Sequence, residues 1–286
     1  MMQISNNKLS VVIHEKGAEL QSIQLNGIEY LWQADAAYWG KHSPVLFPVV
    51  GELKDGKYLF NEKEYKLPRH GFARDKAFIA EQVSKTDAVF TLRSDEDTLE
   101  IYPFGFILKI EYKLKGAELF CSYIVQNNDV KDMYFSVGGH PAFKLPLSGD
   151  LEYTDYALLF NNDEKLNRYV LHDGLTGNDT ETIALDDKQL PLKQSLFYED
   201  AIVLKNLHSK EIKLMSAKGA HGLKFKFDGF PYFGIWAAKG APFICLEPWC
   251  GIADNIHHNY QLITKEGINK LGVGDIWKQT WSVELF

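Results

Sequence analysis

The chain has 286 residues, of which 45% are hydrophobic and 24% are charged, and its formal net charge at pH 7 is −7. This size and composition suit a folded protein with a sizeable core and exclude a disordered chain. Because non-specific binding to nucleic acid needs a dense basic stripe, the negative charge and the lack of any basic block predict no nucleic-acid partner.

The N-terminal segment and the cysteines indicate a cellular compartment. Residues Met1 to Ser10 are polar and lack the apolar run of a secretory signal. No stretch approaches the roughly 20 consecutive apolar residues of a transmembrane helix, so no membrane partner is expected. The three cysteines, Cys121, Cys245 and Cys250, form neither an even set nor a Cys-x-x-Cys pair. We therefore expect a reduced, cytoplasmic protein.

Two hairpins are predicted in the first half of the chain. Asn26-Gly27 separates two short apolar segments, which is the strongest short hairpin signal in the sequence. Residues 106–115 alternate between apolar and polar side chains, Gly116 offers a turn, and residues 119–125 resume the alternation. This period of two predicts a long antiparallel hairpin with one buried face.

The second half continues the same pattern. Residues 223–228 and 277–285 alternate, whereas no long amphipathic helix is evident and only short helical turns are expected near Asp35 to Gly40 and Leu196 to Asp200. No linker and no internal repeat divides the chain. The sequence therefore predicts one all-β domain over residues 1–286, a large antiparallel β-sandwich. Such a fold alone does not define the chemistry.

Three short segments place ionisable groups among glycines, prolines and aromatic residues, namely residues 68–75, 136–143 and 243–251. In the second, His140 follows two glycines and precedes Pro141. The glycines leave room for a ligand to approach the backbone, and proline, which has no N–H, ends strand pairing. We expect His140 at a strand end, facing a cavity; a histidine hydrogen-bonded within a turn is the alternative.

In the third segment, period two places Phe243, Cys245 and Glu247 on one face of a strand. A carboxylate that follows so apolar a run is expensive to bury without a partner, so Glu247 is paired, exposed or functional. Trp249 offers a flat apolar face that suits the C–H face of a sugar ring, or it belongs to the core.

The first segment and the remaining histidines and cysteines are less specific. Arg69, His70 and Arg74 supply donors that suit hydroxyls or a phosphate, and a basic surface loop is the alternative. Adjacent His257 and His258 point in different directions, and the five-residue spacing of the last two cysteines is poor for zinc. We therefore expect no metal. No serine-hydrolase elbow and no phosphate-binding Gly-Lys loop occurs.

Five segments together resemble the aldose 1-epimerase, or galactose mutarotase-like, family, and they occur in the order found in that family. They are Asn26-Gly27-Ile28-Glu29-Tyr30-Leu31-Trp32, Pro44-Val45-Leu46-Phe47-Pro48-Val49-Val50-Gly51, Arg69-His70-Gly71-Phe72-Ala73-Arg74, Gly139-His140-Pro141-Ala142-Phe143 and Leu246-Glu247-Pro248-Trp249. The resemblance extends over most of the chain.

The resemblance implies a supersandwich of antiparallel sheets that binds a sugar, an aldohexose, as a monomer or homodimer. It implies that His140, as an imidazolium, is the general acid and that Glu247, as a carboxylate, is the general base of anomer interconversion, with no metal or organic cofactor. His70 and Arg74 would hold sugar hydroxyls or lie near a phosphate. The family's sugar-contacting aspartate has Asp228 as its nearest counterpart here, and Trp249 would face the sugar ring.

One departure from the family pattern bears on the substrate. The sugar-phosphate branch carries an arginine and small residues where this chain reads Lys41-His42-Ser43. This difference favours a free sugar, although Lys41 would still offer a phosphate a point charge. The resemblance therefore predicts an aldose mutarotase like those of bacterial sugar operons. The alternatives are a hexose-6-phosphate mutarotase and a non-catalytic sugar-binding or sensing protein. A glycoside hydrolase would need a second catalytic carboxylate.

Overall fold

The computed structural model describes residues 1–286 and is built almost entirely from β-strands. The strands are β1 Met2–Ser5, β2 Leu9–His14, β3 Glu19–Leu25, β4 Ile28–Glu29, β5 Val45–Leu46, β6 Lys57–Phe60, β7 Lys63–Lys66, β8 Ile79–Gln82, β9 Asp87–Arg93, β10 Phe106–Lys115, β11 Glu118–Asn127, β12 Met133–Phe135, β13 Val137–Gly139, β14 Ala142–Lys144, β15 Tyr156–Phe160, β16 Lys165–His172, β17 Leu175–Ala184, β18 Gln189–Pro191, β19 Ile202–Lys205, β20 Glu211–Ser216, β21 Leu223–Lys226, β22 Tyr232–Trp236, β23 Phe243–Cys250, β24 Asn269–Leu271 and β25 Ile276–Leu285.

Helices are few and short. The single α-helix, α1, spans Glu96–Ile101. Asp95 is its N-cap residue, and the Asp95 side chain accepts a hydrogen bond from the Thr98 N–H. The 3₁₀ turns are Lys54–Gly56, Ala73–Asp75, Tyr153–Asp155, Gln194–Phe197 and Leu262–Thr264. No helix has the length and hydrophobicity needed to span a membrane.

Two large sheets dominate the fold. One has nine strands in the order β18-β15-β20-β21-β25-β11-β10-β9-β8. The other has the order β17-β16-β19-β22-β23-β13-β5, with β14 pairing to β23 as an eighth strand. A four-stranded sheet β1-β2-β3-β4 and the pairs β12-β24 and β6-β7 complete the structure. The strand pairs are antiparallel, which confirms the predicted all-β class.

Both predicted hairpins are present. The β10–β11 pair runs in register from Phe106 opposite Asn127 to Lys115 opposite Glu118, with the apolar face of β10 buried. Asn26 and Gly27 join β3 to β4 with φ of 49° and 85°, the left-handed conformation that a two-residue hairpin turn requires.

The two predicted helical turns differ from the structure in detail. Residues 36–38 form a turn closed by hydrogen bonds from the Tyr38 and Trp39 N–H groups to the Asp35 carbonyl, and no helix follows. The second turn lies at Gln194–Phe197, slightly earlier than predicted.

The core lies between the two large sheets. Phe225 of β21 contacts Phe143 of β14 and Phe233 of β22, each at a ring-centroid distance of 6.0 Å, so side chains of both sheets interdigitate. The buried cluster contains 72 residues, from Ile4 to Leu285, and the apolar surface buried there stabilises the packing of the two sheets.

Gly138 and Gly139 of β13 show how tightly these layers pack. A Cβ at Gly138 would lie 2.7 Å from Cδ1 of Trp249, and one at Gly139 would collide with the Tyr123 hydroxyl. The expectation that these glycines leave room for a ligand is therefore wrong. They leave room for aromatic side chains, and this close approach sets the position of the residue that follows β13.

Candidate active site

A cavity of about 320 Å³ opens on one face of the eight-stranded sheet. This volume falls within the roughly 300–1,000 Å³ range of small-molecule sites. Strands β16, β17, β19, β22 and β23 contribute Leu171, Thr176, Val203, Trp236, Glu247 and Trp249 to its lining. The loops above the sheet contribute Trp39, Lys41, Gly51, Arg69, His70, Arg74, His140 and Asp200.

The structure brings His140 and Glu247 together in this cavity. His140 directly follows β13, where its N–H donates to the Pro44 carbonyl at 3.1 Å. Glu247 lies on β23 opposite Gly234 of β22. Nε2 of His140 is 3.3 Å from Oε2 of Glu247, and the two side chains are 11% and 2% exposed. The imidazole nitrogen of His140 and the carboxyl group of Glu247 are thus close enough for a proton to move between them.

Aromatic rings fix the orientation of His140. Trp39 stacks on the imidazole at a centroid distance of 4.9 Å and an angle of 27°, and Trp236 contacts it edge-on at 5.7 Å. Nδ1 of His140 has no hydrogen-bond partner, so aromatic packing rather than a hydrogen bond holds that side of the ring. Neither tryptophan was predicted, because Trp39 follows a turn, Trp236 ends a strand, and neither belongs to a motif.

Burial favours the neutral form of both members of the pair. The pKa of His140 is lowered to about 3, mainly by burial and in smaller part by Arg69 and Arg74, while the backbone of His140 opposes the shift. Burial also raises the pKa of Glu247 well above its ordinary value, and the Arg69 guanidinium opposes that rise only in part. The resting pair is therefore imidazole and carboxylic acid, in contrast to the imidazolium and carboxylate expected from the resemblance.

His70 presents a donor to the cavity. Its backbone has a φ of 67°, and its Nδ1 accepts a hydrogen bond from the Gly51 N–H at 3.1 Å. Burial, together with His140 and Arg69, holds the pKa of His70 well below its ordinary value. A neutral imidazole that accepts at Nδ1 carries its proton on Nε2, so this side chain offers one N–H to a ligand.

Arg74 and Trp249 also line the cavity, and their assignment as sugar-binding residues stays a prediction. Arg74 lies in the 3₁₀ turn Ala73–Asp75, and its Nη2 donates to the Arg69 carbonyl at 2.8 Å. Trp249 packs closely against Gly138, and its indole N–H opposes the rise in the pKa of Glu247. Both side chains are thus positioned by neighbouring backbone, and the buried Nε of Arg74 has no hydrogen-bond partner.

Asp228 does not reach the cavity, whereas Asp200 does. Asp228 is exposed in the turn that precedes Gly229, and its carbonyl accepts from the Gln279 amide. Asp200 lines the cavity just before β19, with Oδ1 accepting from the Ala201 N–H at 2.6 Å. Sequence reasoning missed Asp200 because it ends an irregular segment, with a φ of 133°, and belongs to no motif.

A buried ionic cluster supports the cavity wall beside Ala253. Nζ of Lys265 lies 2.6 Å from Oδ1 of Asp254, and their side chains are 1% and 0% exposed. Oδ2 of Asp254 accepts from the Lys54 N–H at 2.9 Å and lies 3.2 Å from Nδ1 of His258. The Asp254 carbonyl accepts from the N–H of Thr176, which lines the cavity. His258 is therefore part of an ionic cluster.

One group of side chains has the residue types of a metal site. Ligand atoms of His140, Cys245 and Glu247 all lie within 4.8 Å of one another. Burial raises the pKa of the Cys245 thiol well above its ordinary value, and a protonated thiol is not a metal ligand. The prediction that no metal takes part stays a prediction.

The amino-acid sequence matches a known family and two curated relatives. The sequence model of the aldose 1-epimerase family matches residues 1–259. The plasmid-encoded and chromosomal LacX proteins of Lactococcus lactis subsp. lactis are each 32% identical over 295 aligned residues, covering 99% of this chain and 99% of the relative.

Two solved structures share the fold closely. A galactose mutarotase related enzyme from Lactobacillus acidophilus superimposes with a TM-score of 0.95 at 33% identity, covering 100% of this chain and 97% of that one. A galactose mutarotase-like protein from Lactobacillus casei ATCC 334 does so with a TM-score of 0.92 at 32% identity, covering 100% of both chains. These likenesses confirm the predicted galactose mutarotase-like fold.

Proposed function

The chain belongs to the aldose 1-epimerase family, and from this premise we propose that it interconverts the α and β anomers of an aldohexose. The observation that carries the proposal is the buried contact of 3.3 Å between His140 and Glu247 inside a cavity of ligand size. A site that only binds a sugar has no need of a buried proton-transfer pair, whose burial is costly.

The proposed reaction opens and recloses the sugar ring. Glu247 takes the proton of the C1 hydroxyl, the C1 carbonyl forms, and the bond from C1 to the ring oxygen breaks. The ring oxygen takes a proton from His140. After rotation about the C1–C2 bond, the same groups act in reverse and close the ring on the other face of C1. No proton is gained or lost overall, and general acid–base catalysis of this kind contributes roughly 10²–10⁴-fold.

The neutral resting pair is compatible with these roles. Imidazole with carboxylic acid and imidazolium with carboxylate hold the same two protons, and they differ only in which side of the 3.3 Å contact one proton occupies. Bound sugar hydroxyls replace part of the hydration that burial removed, so the proton passes from Glu247 to His140 once the sugar is present. The pair, rather than either residue alone, therefore titrates.

Four further residues are proposed to hold the sugar. His70 offers its Nε2 proton and Arg74 its guanidinium to hydroxyl oxygens, while Asp200 accepts from hydroxyl groups. Trp249 packs against the C–H face of the ring.

Polarimetry separates an enzyme from a non-catalytic binder. Freshly dissolved α-glucose, α-galactose and their 6-phosphates should reach anomeric equilibrium faster with the wild-type protein than in buffer. Saturable binding of a sugar without faster mutarotation of any of them would instead support a sensing or binding protein, which is the alternative function.

The pH dependence of kcat/KM follows from the titration of the pair. In the active state the His140 imidazole and the Glu247 carboxyl group together hold two protons. The pair gains a third proton when the pH falls through the lowered pKa of His140, about 3. It loses one proton when the pH rises through the raised pKa of Glu247. We therefore expect kcat/KM to stay nearly constant as the pH falls through 4.5 and to decline only toward pH 3. An acidic limb near 4.5, the ordinary value of a glutamic acid, would contradict the neutral resting pair.

Replacement of Asp200 and replacement of Asp228 should have different effects on kcat/KM. Asp200→Asn removes a charged acceptor from the cavity, and a hydrogen bond to a charged group contributes about 1.5–3 kcal/mol, so kcat/KM should fall by roughly 10–100-fold. Asp228→Asn is the matched control, because that exposed side chain lies outside the cavity and its replacement should leave kcat/KM at the wild-type value. The reverse pattern would restore Asp228 as the sugar-contacting residue.

A further inference from the structure

One face of the His140 imidazole is covered by the indole of Trp39. The two rings stack at a centroid distance of 4.9 Å and an angle of 27°. A cation within about 6 Å of the face of a tryptophan is attracted by the ring quadrupole, and tryptophan is the strongest such partner among the aromatic side chains. The stacked indole therefore interacts more favourably with an imidazolium than with a neutral imidazole.

Few other groups around His140 favour a positive charge on its ring. The Glu247 carboxyl group, 3.3 Å from Nε2, becomes a counterion only after it has given up its proton. The guanidinium groups of Arg69 and Arg74 disfavour the imidazolium. Two further titratable groups lie close by and are held uncharged by burial, the thiol of Cys245 and the imidazole of His70. The stacked indole is therefore a main source of stabilisation for the charged ring.

Hydrogen bonds and aromatic packing hold the Trp39 indole in this position. The Trp39 carbonyl accepts a hydrogen bond from Nε1 of Trp32 at 2.9 Å, and the Trp39 N–H donates to the Asp35 carbonyl, also at 2.9 Å. Phe243 and Trp236 pack against the indole at centroid distances of 5.6 and 5.5 Å. Because these contacts lie within the protein, the indole covers the imidazole before a sugar arrives.

Burial and the stacked π face have opposite effects on the charge of His140. Burial removes water from the imidazole and favours its neutral form. The proposed reaction needs the imidazolium as a proton donor to the ring oxygen, so part of the lost hydration has to be replaced when the proton arrives. An aliphatic side chain at position 39 would exclude water without offering a negative face, whereas an indole does both.

We propose that Trp39 is a positioning residue that acts through His140, by stacking on the imidazole and stabilising the imidazolium that forms when the sugar binds. This inference rests on the proposed function, because only proton transfer to the sugar needs an imidazolium. On sugar binding the O–H bond of Glu247 breaks and the N–H bond at Nε2 of His140 forms, so the pair keeps its two protons. The cation–π attraction therefore contributes to kcat/KM, which compares the transition state with the free protein and free sugar.

Fluorinated tryptophans at position 39 test this attraction with little change in packing. Each fluorine on the six-membered ring withdraws charge from the π face and leaves the shape nearly constant. The sugar used is whichever of glucose, galactose and their 6-phosphates the unmodified protein converts fastest. We expect kcat/KM to fall with each added fluorine, by about tenfold or more over the series, as for the loss of a desolvated cation–π contact.

The division of this loss between kcat and KM is also informative. The imidazolium is complete in the sugar complex and partly discharged in the transition state, so the loss should appear as a higher KM and not as a lower kcat. Trp39→Phe, which keeps a weaker π face, should retain more of kcat/KM than Trp39→Leu, which has none.

The same fluorinated series at Trp277 is the matched control. Trp277 packs against Phe135 at a centroid distance of 5.4 Å and lies outside the cavity, so kcat/KM should remain at the unmodified value.

Glu247→Gln separates an effect on His140 from a direct contact between Trp39 and the sugar. An amide has no acidic proton to give, so His140 stays neutral when a sugar binds to this variant. Titration calorimetry should therefore show a dissociation constant that rises along the fluorinated series when Glu247 is present and stays constant in the Glu247→Gln background. Equal weakening in both backgrounds would overturn the inference, because the indole would then act on the sugar itself.

The remaining outcomes separate this inference from the proposed function. Faster mutarotation by the unmodified protein, with kcat/KM constant along the Trp39 series, would overturn the inference and leave the mutarotase intact. If the unmodified protein accelerated the mutarotation of none of these sugars, the proposed function would fail and the inference with it.

Discussion

His140→Ala and Glu247→Gln are each expected to lower kcat for anomer exchange by roughly 10²–10⁴-fold, the usual contribution of a positioned acid or base. The first change leaves the ring oxygen without its proton donor, and the second leaves the C1 hydroxyl without its acceptor. Because the two side chains act across one contact of 3.3 Å, the double variant should be about as slow as the slower single one.

Matched controls make this result specific. His14→Ala and Glu111→Gln remove the same side chains from positions outside the cavity and should leave kcat unchanged. Near-ultraviolet circular dichroism of each variant checks that the aromatic packing around Trp39 is retained. Wild-type kcat in either active-site variant would show that the pair does not carry out the chemistry.

Lys265→Met is expected to lower the free energy of unfolding by about 3–5 kcal/mol, because it leaves the buried Asp254 carboxylate without its cationic partner. Burial alone would raise the pKa of Asp254, but His258, Lys265 and the Lys54 N–H outweigh it and hold that pKa below its ordinary value. The carboxylate therefore remains charged at neutral pH, and the loss of its partner is costly. Urea denaturation measures the change.

Lys270→Met is the control for this prediction. Lys270 pairs with Asp132 at 2.7 Å, a distance close to the 2.6 Å of the buried pair, but its side chain is 60% exposed. A surface pair of this kind contributes about 0–1 kcal/mol. Equal losses of unfolding free energy in the Lys265 and Lys270 variants would contradict the assigned role of the buried pair. Adding Asp254→Asn to Lys265→Met should recover part of the loss, because it removes the unpaired charge.

The strands were predictable from the sequence because their signals are local. Alternation over residues 106–115 and the turn at Asn26-Gly27 depend only on neighbouring residues, and both hairpins form where they were predicted. Residues 36–38 and 194–197 have no comparable local pattern, since their conformations depend on contacts with the rest of the fold.

The site was predictable only in part. The segments around His140 and Glu247 identified both residues, but their approach to 3.3 Å depends on how β13 pairs with β23. Nothing in the sequence placed Trp39 over the imidazole, and that burial accounts for the neutral pair. Asp228 was chosen as the nearest counterpart of the family's sugar-contacting aspartate, whereas Asp200 reaches the cavity through an irregular segment before β19.

The two glycines before His140 show the same limit of prediction from sequence. Gly138 and Gly139 were interpreted as space for a ligand, and the structure fills that space with Trp249 and Tyr123. A glycine in a sequence indicates a close approach, but only the packing of the second sheet shows which group approaches.

The most direct test of the proposed mechanism is a crystal structure of the Glu247→Gln protein with an aldose bound. We expect the C1 hydroxyl oxygen within about 2.6–3.2 Å of the side chain at position 247 and the ring oxygen at a similar distance from Nε2 of His140. A sugar bound outside the cavity, or one whose anomeric carbon points away from both side chains, would contradict the assignment of His140 and Glu247 as acid and base.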